Sequence, residues 1–207
     1  MCGNGIRCLA RYVVERGYAK GPEFVTESLR GPHAQKVSLD RGRFVDVTTY
    51  MGKPELRRSR IPMLGPDSER VVNEPLMVDG VEYRVTLVNV GNPHCVVFVE
   101  DVSKLDLPVL GPKFENHPLF PNRINTEFIQ VLDRNNLRMR VWERGCGETL
   151  ACGTGATAST VAAILKGCTF DVVMVHLLGG DLTIEWRNHE DLYMTGSAQK
   201  VFTGEYE

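Results

Sequence analysis

Hydrophobic and polar positions follow two different periods along this chain. Ile6, Leu9, Ala10 and Val13 fall at i, i+3, i+4 and i+7, which predicts a helix with one buried stripe, closed at Gly17. From Phe24 to Met51 the period shortens to two, as in KVSL and RFVDVTTY, with GPH and DRG as turn signals, so three strands are expected. The stretch MGKPELRRSRIPMLGPDSE carries Pro54, Pro62, Pro66 and a basic cluster without an apolar period, and predicts a linker. Beyond it, VEYRVTLVNV and HCVVFVE read as strands on either side of a GNP turn, and TEFIQVL and LRMRVWE as a hairpin across DRNN. A second helix is expected from Cys152 to Lys166, stopping at Gly167. VVMVHLL and LTIEW then pair across GGD, and AQKVFTGEY is expected as a closing strand. Strands dominate, and two helices stand out.

The chain of 207 residues, 43% of them hydrophobic, can bury one large core or two smaller ones. A formal net charge of -2, from 24 basic and 26 acidic residues, gives no long-range field for nucleic acid or an acidic membrane, so a small-molecule partner is expected. No apolar run has the length of a membrane span and nothing at Met1 resembles a signal peptide, so a cytoplasmic location is expected. Six irregularly spaced cysteines do not suit a secreted disulfide scaffold, and their thiols are expected to be reduced.

The two predicted helices start alike. Cys2-Gly3-Asn4-Gly5 and Cys152-Gly153-Thr154-Gly155 both read C-G-[NT]-G, a repeat spaced for two lobes of like construction rather than a solenoid. Small residues along the second helix, from Gly153 to Ala163, let neighbouring backbone approach closely, as a helix enclosed by a curled sheet requires. A thiol at a helix N-terminus is expected to favour thiolate, and the adjacent N–H groups to bind carboxylate. Two such ends facing each other would suit inversion of a carbon α to a carboxylate: one sulfur removes the proton, the other delivers one to the opposite face. Cys8, Cys95, Cys146 and Cys168 read as small structural hydrophobes. Zinc is a rival for the cysteine set, but no C-x-x-C or suitably spaced His pair occurs. GTGATAS lacks the Lys-Ser/Thr of a phosphate loop, so no cofactor is expected.

MCGNGIRC, GNPHC, RIN and ERGCGETLACGTGA, with the closing GGDLTIEW and MTGSAQKVFTG, resemble the diaminopimelate epimerases. The proline racemase-like enzymes share the C-G-x-G pair, but Asn4 and the intact ERG look more like the diaminopimelate branch. The resemblance implies an α/β (α+β) fold of two pseudo-symmetric lobes, each a barrel-like, mostly antiparallel sheet around a central helix. Here the first lobe is incomplete: residues 1–51, with a strand at 195–207 returning to it, and 52–194 as the second lobe. It also implies cofactor-independent interconversion of LL- and meso-diaminopimelate, and a homodimer. Cys2 and Cys152 look like the acid/base pair. Gly3, Asn4, Gly153 and Thr154 look like the cradle of the reacting carboxylate, and Asn92, Asn125 and Arg144 like ligands for the distal end. Glu143 looks like the acceptor of a substrate ammonium, and His94 and Glu143 like neighbours that modulate the thiols.

Each has a plainer reading. His94 could be a satisfied histidine at a strand start, Glu143 and Arg144 an exposed pair, Asn92 and Asn125 turn residues. In the resembling family several strands precede MCGNG, and this sequence has none of them. Little epimerase activity is therefore expected of the 207-residue chain, with activity in a longer parent. A non-catalytic binding lobe and a thiol redox protein using Cys2 and Cys152 are the alternatives.

Overall fold

The computed structural model describes residues 2–28 and 31–205. They divide into two compact units, Met1–Tyr50 with Thr195–Glu207, and Met51–Met194.

The first unit opens with helix α1 (Gly3–Glu15), followed by strands β1 (Glu23–Ser28), β2 (Gly31–Asp40) and β3 (Arg43–Gly52), paired in that order and antiparallel. Alternation turns His33, Gln35 and Val37 of β2 and Val47 and Thr49 of β3 inward. Ala10 of α1 packs with Val37 and Val47, flanked by Val14, Phe24 and Phe44. Deeper polar positions are satisfied by a side-chain ladder in which Gln35 Nε2 donates to Thr26 Oγ1 (3.1 Å) and Thr49 Oγ1 to Gln35 Oε1 (2.7 Å). The buried stripe of α1 is Gly3, Ile6, Arg7 and Ala10, while Leu9 is 43% exposed. The expected stripe was therefore rotated, because Arg7 spends its guanidinium inside, donating to Gly3 O, Asn4 Oδ1 and Ser197 O. Gly17, with φ +70°, ends the helix as expected.

The second unit contains β4 (Glu74–Val78), β5 (Val81–Asn89), β6 (Pro93–Phe98), helix α2 (Leu107–Glu115), β7 (Asn125–Asp133), β8 (Asn136–Glu143), β9 (Gly147–Thr149), helix α3 (Gly153–Leu165), β10 (Val172–Leu177), β11 (Gly180–Arg187) and β12 (Asp191–Gly196). Its sheet runs β12-β11-β10-β8-β7-β6-β5-β4, with β9 on the end of β8. The β6–β7 and β8–β10 pairs are parallel, whereas β4–β5, β5–β6, β7–β8 and β10–β11 are antiparallel. The sheet wraps α3, which lies against β5, β6, β7, β8, β10 and β11 and is buried from Gly153 to Ala163. The small residues make that enclosure possible: a Cβ on Gly155 would come within 2.7 Å of Glu127 Oε1.

Three expectations are corrected. The stretch after β3 is not a linker: Ile61, Met63 and Val71 sit in the second unit's core beside Leu87, Phe114 and Phe128. Arg58 is buried there too, paired with Glu74 and donating to Met63 Sδ and Leu64 O. Each apolar residue anchors an irregular loop singly, so no period marks it. A third helix, α2, was not anticipated; Pro108, Gly111 and Pro112 obscure its pattern, and Gly111 is needed because a Cβ there would meet the Trp142 ring at 2.2 Å. The closing strand AQKVFTGEY does not form, and its Tyr206 lies outside the described residues. From Ser197 to Glu205 the described residues have no regular structure, the Ser197 and Ala198 carbonyls being held by Arg7 and Arg11.

Candidate active site

The repeated C-G-x-G motifs build the same local structure twice. Cys2 is the N-cap of α1 and its sulfur accepts from Gly5 N–H at 3.5 Å; Cys152 is the N-cap of α3 and accepts from Gly155 N–H at 3.4 Å. Both have extended backbone, as an N-cap requires. Glycine two residues into each helix keeps the sulfur's surroundings narrow: a Cβ on Gly5 would touch Cys2 Sγ at 3.7 Å. Cys2 is exposed and Cys152 is 5% exposed. Asn4 gives its side-chain oxygen to Arg7 at 3.1 Å, and Gly3 gives its carbonyl to the same guanidinium. Cys152 Sγ also lies 3.4 Å from Thr154 Oγ1, and Gly153 O takes the Thr157 hydroxyl.

Around Cys152 the second unit gathers the predicted residues from four elements. Gly91, at φ +103°, turns the chain so that Asn92 precedes β6 and His94 follows on it. His94 is wholly buried, its Nδ1 2.7 Å from Glu127 Oε1 and its Nε2 3.1 Å from Asn92 Oδ1. Asn125, at the start of β7, spans the same region: its amide donates to Pro93 O at 2.8 Å and its oxygen accepts from Arg144 N–H at 3.0 Å. Asn125 thereby fixes the backbone of the ERG turn as well as the GNP turn. Glu143 ends β8 and accepts from the Thr149 hydroxyl, while the Arg144 guanidinium donates to Asn122 O at 2.8 Å. The two do not bond to each other.

Two acidic residues that sequence reasoning missed organise this region. Glu127 faces His94 and the first turn of α3. Glu115, at the end of α2, accepts from Trp142 Nε1 (2.7 Å), Arg123 Nη1 (2.8 Å) and Gly145 N–H (2.9 Å), and so ties α2 to the ERG turn. Of the cysteines expected to be structural, Cys95 is buried and Cys168 intermediate, but Cys8 and Cys146 are exposed. Cys8 falls on the outer side of α1 once Arg7 turns inward, and Cys146 lies in the tight turn between β8 and β9.

The expected thiolate is not what the surroundings of Cys152 favour in the free protein. Burial, then the charges of Glu127 and Glu143, push its thiol from an ordinary value near 9 up to about 12, against the opposing bonds from Thr154 and Gly155. Because the folded value is the higher one, this group's contribution to stability is present below pH 9 and is lost as pH rises from about 9 to 12. At about pH 8, iodoacetamide is expected to modify Cys8 and Cys146 rapidly and Cys152 hardly at all, as read by peptide mass spectrometry. Rapid modification of Cys152 at that pH would contradict the buried-thiol assignment.

A sequence profile of the diaminopimelate epimerases matches residues 86–201. The diaminopimelate epimerase of Pelotomaculum thermopropionicum is 51% identical over 206 residues, covering 100% of this chain and 73% of the relative. That of Moorella thermoacetica is 54% identical over 209 residues, covering 100% of this chain and 74% of the relative. Among solved structures, a hydroxyproline epimerase from Agrobacterium vitis superposes with a TM-score of 0.68 at 16% identity, over 95% of this chain and 63% of that one. A phenazine biosynthesis protein of the PhzF family from Bacillus anthracis gives 0.62 at 14% identity, over 95% and 73%. Those distant likenesses show that the fold is the mixed α/β one shared by these proteins. At half-identity across its full length, and with the cysteine-capped helix that the profile spans, the chain belongs to the diaminopimelate epimerase family.

Proposed function

We propose that this protein interconverts LL- and meso-diaminopimelate without a cofactor, Cys2 and Cys152 each serving one face of the α-carbon. The observation that carries this reading is the cysteine N-cap made twice, in a chain half identical to diaminopimelate epimerases. One thiolate takes the α-proton while the other, as thiol, gives its own to the opposite face; the two sulfurs exchange protonation states and the centre inverts. Helix geometry leaves Gly153 and Thr154 N–H without intrahelical acceptors, suited to the carboxylate as it gains enediolate charge. Burial supports an assignment of Cys152 as the sulfur that waits as thiol. His94 and Glu143 act on the thiols' protonation, and Glu143 accepts from the substrate ammonium. Gly3 and Asn4 belong with the α-carboxylate, and Asn92, Asn125 and Arg144 with the distal end, where a guanidinium suits the second carboxylate.

The reading further places the protein in the cytoplasm, as a homodimer, in the supply of lysine and peptidoglycan precursors. No described helix is long and apolar enough to cross a membrane. The test is α-proton exchange of diaminopimelate in deuterated buffer with reductant, followed by NMR. It is run on the 207-residue chain and on the form including any coding sequence upstream of Met1. Exchange with diaminopimelate and none with proline or hydroxyproline is expected. Binding without exchange by both forms would replace the epimerase with a binding lobe.

A further inference from the structure

Glu127 belongs to none of the roles above, yet its surroundings constrain it tightly. It lies on β7 and His94 on β6, parallel neighbours with His94 opposite Asn125. Neither side chain has any solvent exposure. Oε1 meets His94 Nδ1 at 2.7 Å, while Oε2 is buried without a hydrogen-bond partner. The groups facing it are His94 and Cys95 from β6, Glu143 from β8, and Cys152 with Gly155 at the start of α3.

The protons on this chain of groups can be counted. Asn92 presents its oxygen to His94 Nε2 at 3.1 Å, so Nε2 must carry a proton. In a neutral ring Nδ1 is then an acceptor, and the hydrogen between it and Glu127 must come from the carboxyl group. With the Asn92 amide turned this way, the only other way to fill both bonds is an imidazolium beside a carboxylate, two wholly buried ions with one carboxylate oxygen left unpaired. Burying such a pair is penalised unless every lone pair is satisfied, and here one is not. The N–H of Gly155, the glycine against which the carboxyl is packed, is already given to Cys152 Sγ. Burial and the charge of Glu143 independently push the Glu127 carboxyl up, against the opposing pull of His94.

We infer that Glu127 is a further positioning residue of this site, a neutral carboxylic acid that donates to His94 Nδ1 and fixes the Nε2–H tautomer. This rests on the reading of the site as an epimerase centre. The tautomer holds the Asn92 amide with its oxygen toward the ring, leaving the amide N–H groups for other acceptors. A neutral Glu127 also removes one negative charge from beside Cys152, so that Glu143 is the remaining carboxylate its thiolate must face. The carboxyl is seated on the first turn of α3, so a single group ties the capping cysteine's helix to the His94–Asn92 arm.

The experiment is 15N NMR of the histidine rings in histidine-labelled protein, with His94 assigned by the signal lost in His94→Gln. Between about pH 7 and 8, His94 is expected to show an unprotonated Nδ1 and a protonated Nε2. Glu127→Gln, whose amide N–H can donate in place of the acid, is expected to keep that pattern. Glu127→Leu, which offers no donor, is expected to let the ring change tautomer. A proton on Nδ1 of the unaltered protein in this range would overturn the inference, as would a Leu variant with the unaltered pattern. The readout needs no turnover. A chain that binds but does not epimerise diaminopimelate, yet shows this tautomer, would refute the function proposed above and leave the proton assignment standing.

Discussion

Replacing Cys152 with serine is expected to abolish α-proton exchange on diaminopimelate, a loss of at least about 10²–10⁴ in rate, while the fold persists. The separation of the two effects follows from the position of the residue. Cys152 caps α3 by accepting Gly155 N–H, and serine is among the best residues for that task. The serine oxygen can also keep the contact with the Thr154 hydroxyl. What serine cannot do is form an anion accessible to the reaction, or return to its neutral form after taking a carbon-bound proton. The burial that, before any charge, pushes the Cys152 thiol up would act at least as strongly against a serine alkoxide, as would the Glu143 carboxylate. The checks are exchange by NMR in the catalytically active form and thermal unfolding of the same preparation. The midpoint should be kept within a few degrees of the parent, because the cap is preserved. Exchange retained in the serine variant would move the proton-transfer role from this sulfur to another group of the cluster. Cys2→Ser tests the other motif in the same way, since Cys2 has the same capping bond.

The parts of this structure that could be read from sequence are those in which a local rule and the tertiary context agree. α1 and α3 begin at cysteine caps and end at Gly17 and Gly167, both at positive φ, so start and stop signals bracket each apolar segment. The strands of the first unit alternate because one face is covered and the other is not. The rule fails where both faces are covered: Asn125 through Ile129 on β7 are all buried, so Glu127 does not stand out as inward. The cue that points to it is Gly155, a position whose missing side chain makes room for a carboxyl group. Residues 51–73 escaped because their apolar side chains anchor a loop one at a time. α2 escaped because Pro108, Gly111 and Pro112 are poor helix formers; Pro108 is tolerated in the first turn, which needs few N–H donors, Gly111 leaves room for Trp142, and Pro112 stands inside the helix. The cysteine motifs marked the chemistry clearly, but they carried no information on how deeply each sulfur is buried. A helix end alone predicts a lowered thiol; burial of Cys152 and the Glu143 charge reverse the sign.

The second large effect is expected far from any thiol. Glu115→Ala should lower the stability of the second unit by about 1–3 kcal/mol, because it strips the acceptor from several donors at once. Glu115 is 6% exposed and takes the Trp142 indole N–H, the Arg123 guanidinium and the Gly145 backbone N–H. Without the carboxylate, the half-buried Trp142 indole loses its acceptor, at a penalty of up to about 1–3 kcal/mol, while the N–H of the exposed Gly145 can turn to water. The Arg123 bond contributes less, since that side chain is half exposed. Glu115→Gln separates the contributions: its carbonyl oxygen can still serve the Trp142 indole, so its loss should be smaller than that of alanine. Urea unfolding followed by tryptophan fluorescence measures both, with a displaced midpoint at unchanged slope marking a loss of native stability rather than a changed denatured state. The consequence reaches the site through the backbone. Gly145 follows Arg144, whose N–H is held by Asn125, so loosening the turn releases the guanidinium placed at the substrate's distal end. In the alanine variant substrate affinity should therefore weaken at temperatures where the unit is still folded. A variant with parental urea midpoint would show that these donors find water or other acceptors, and that Glu115 does not organise the turn.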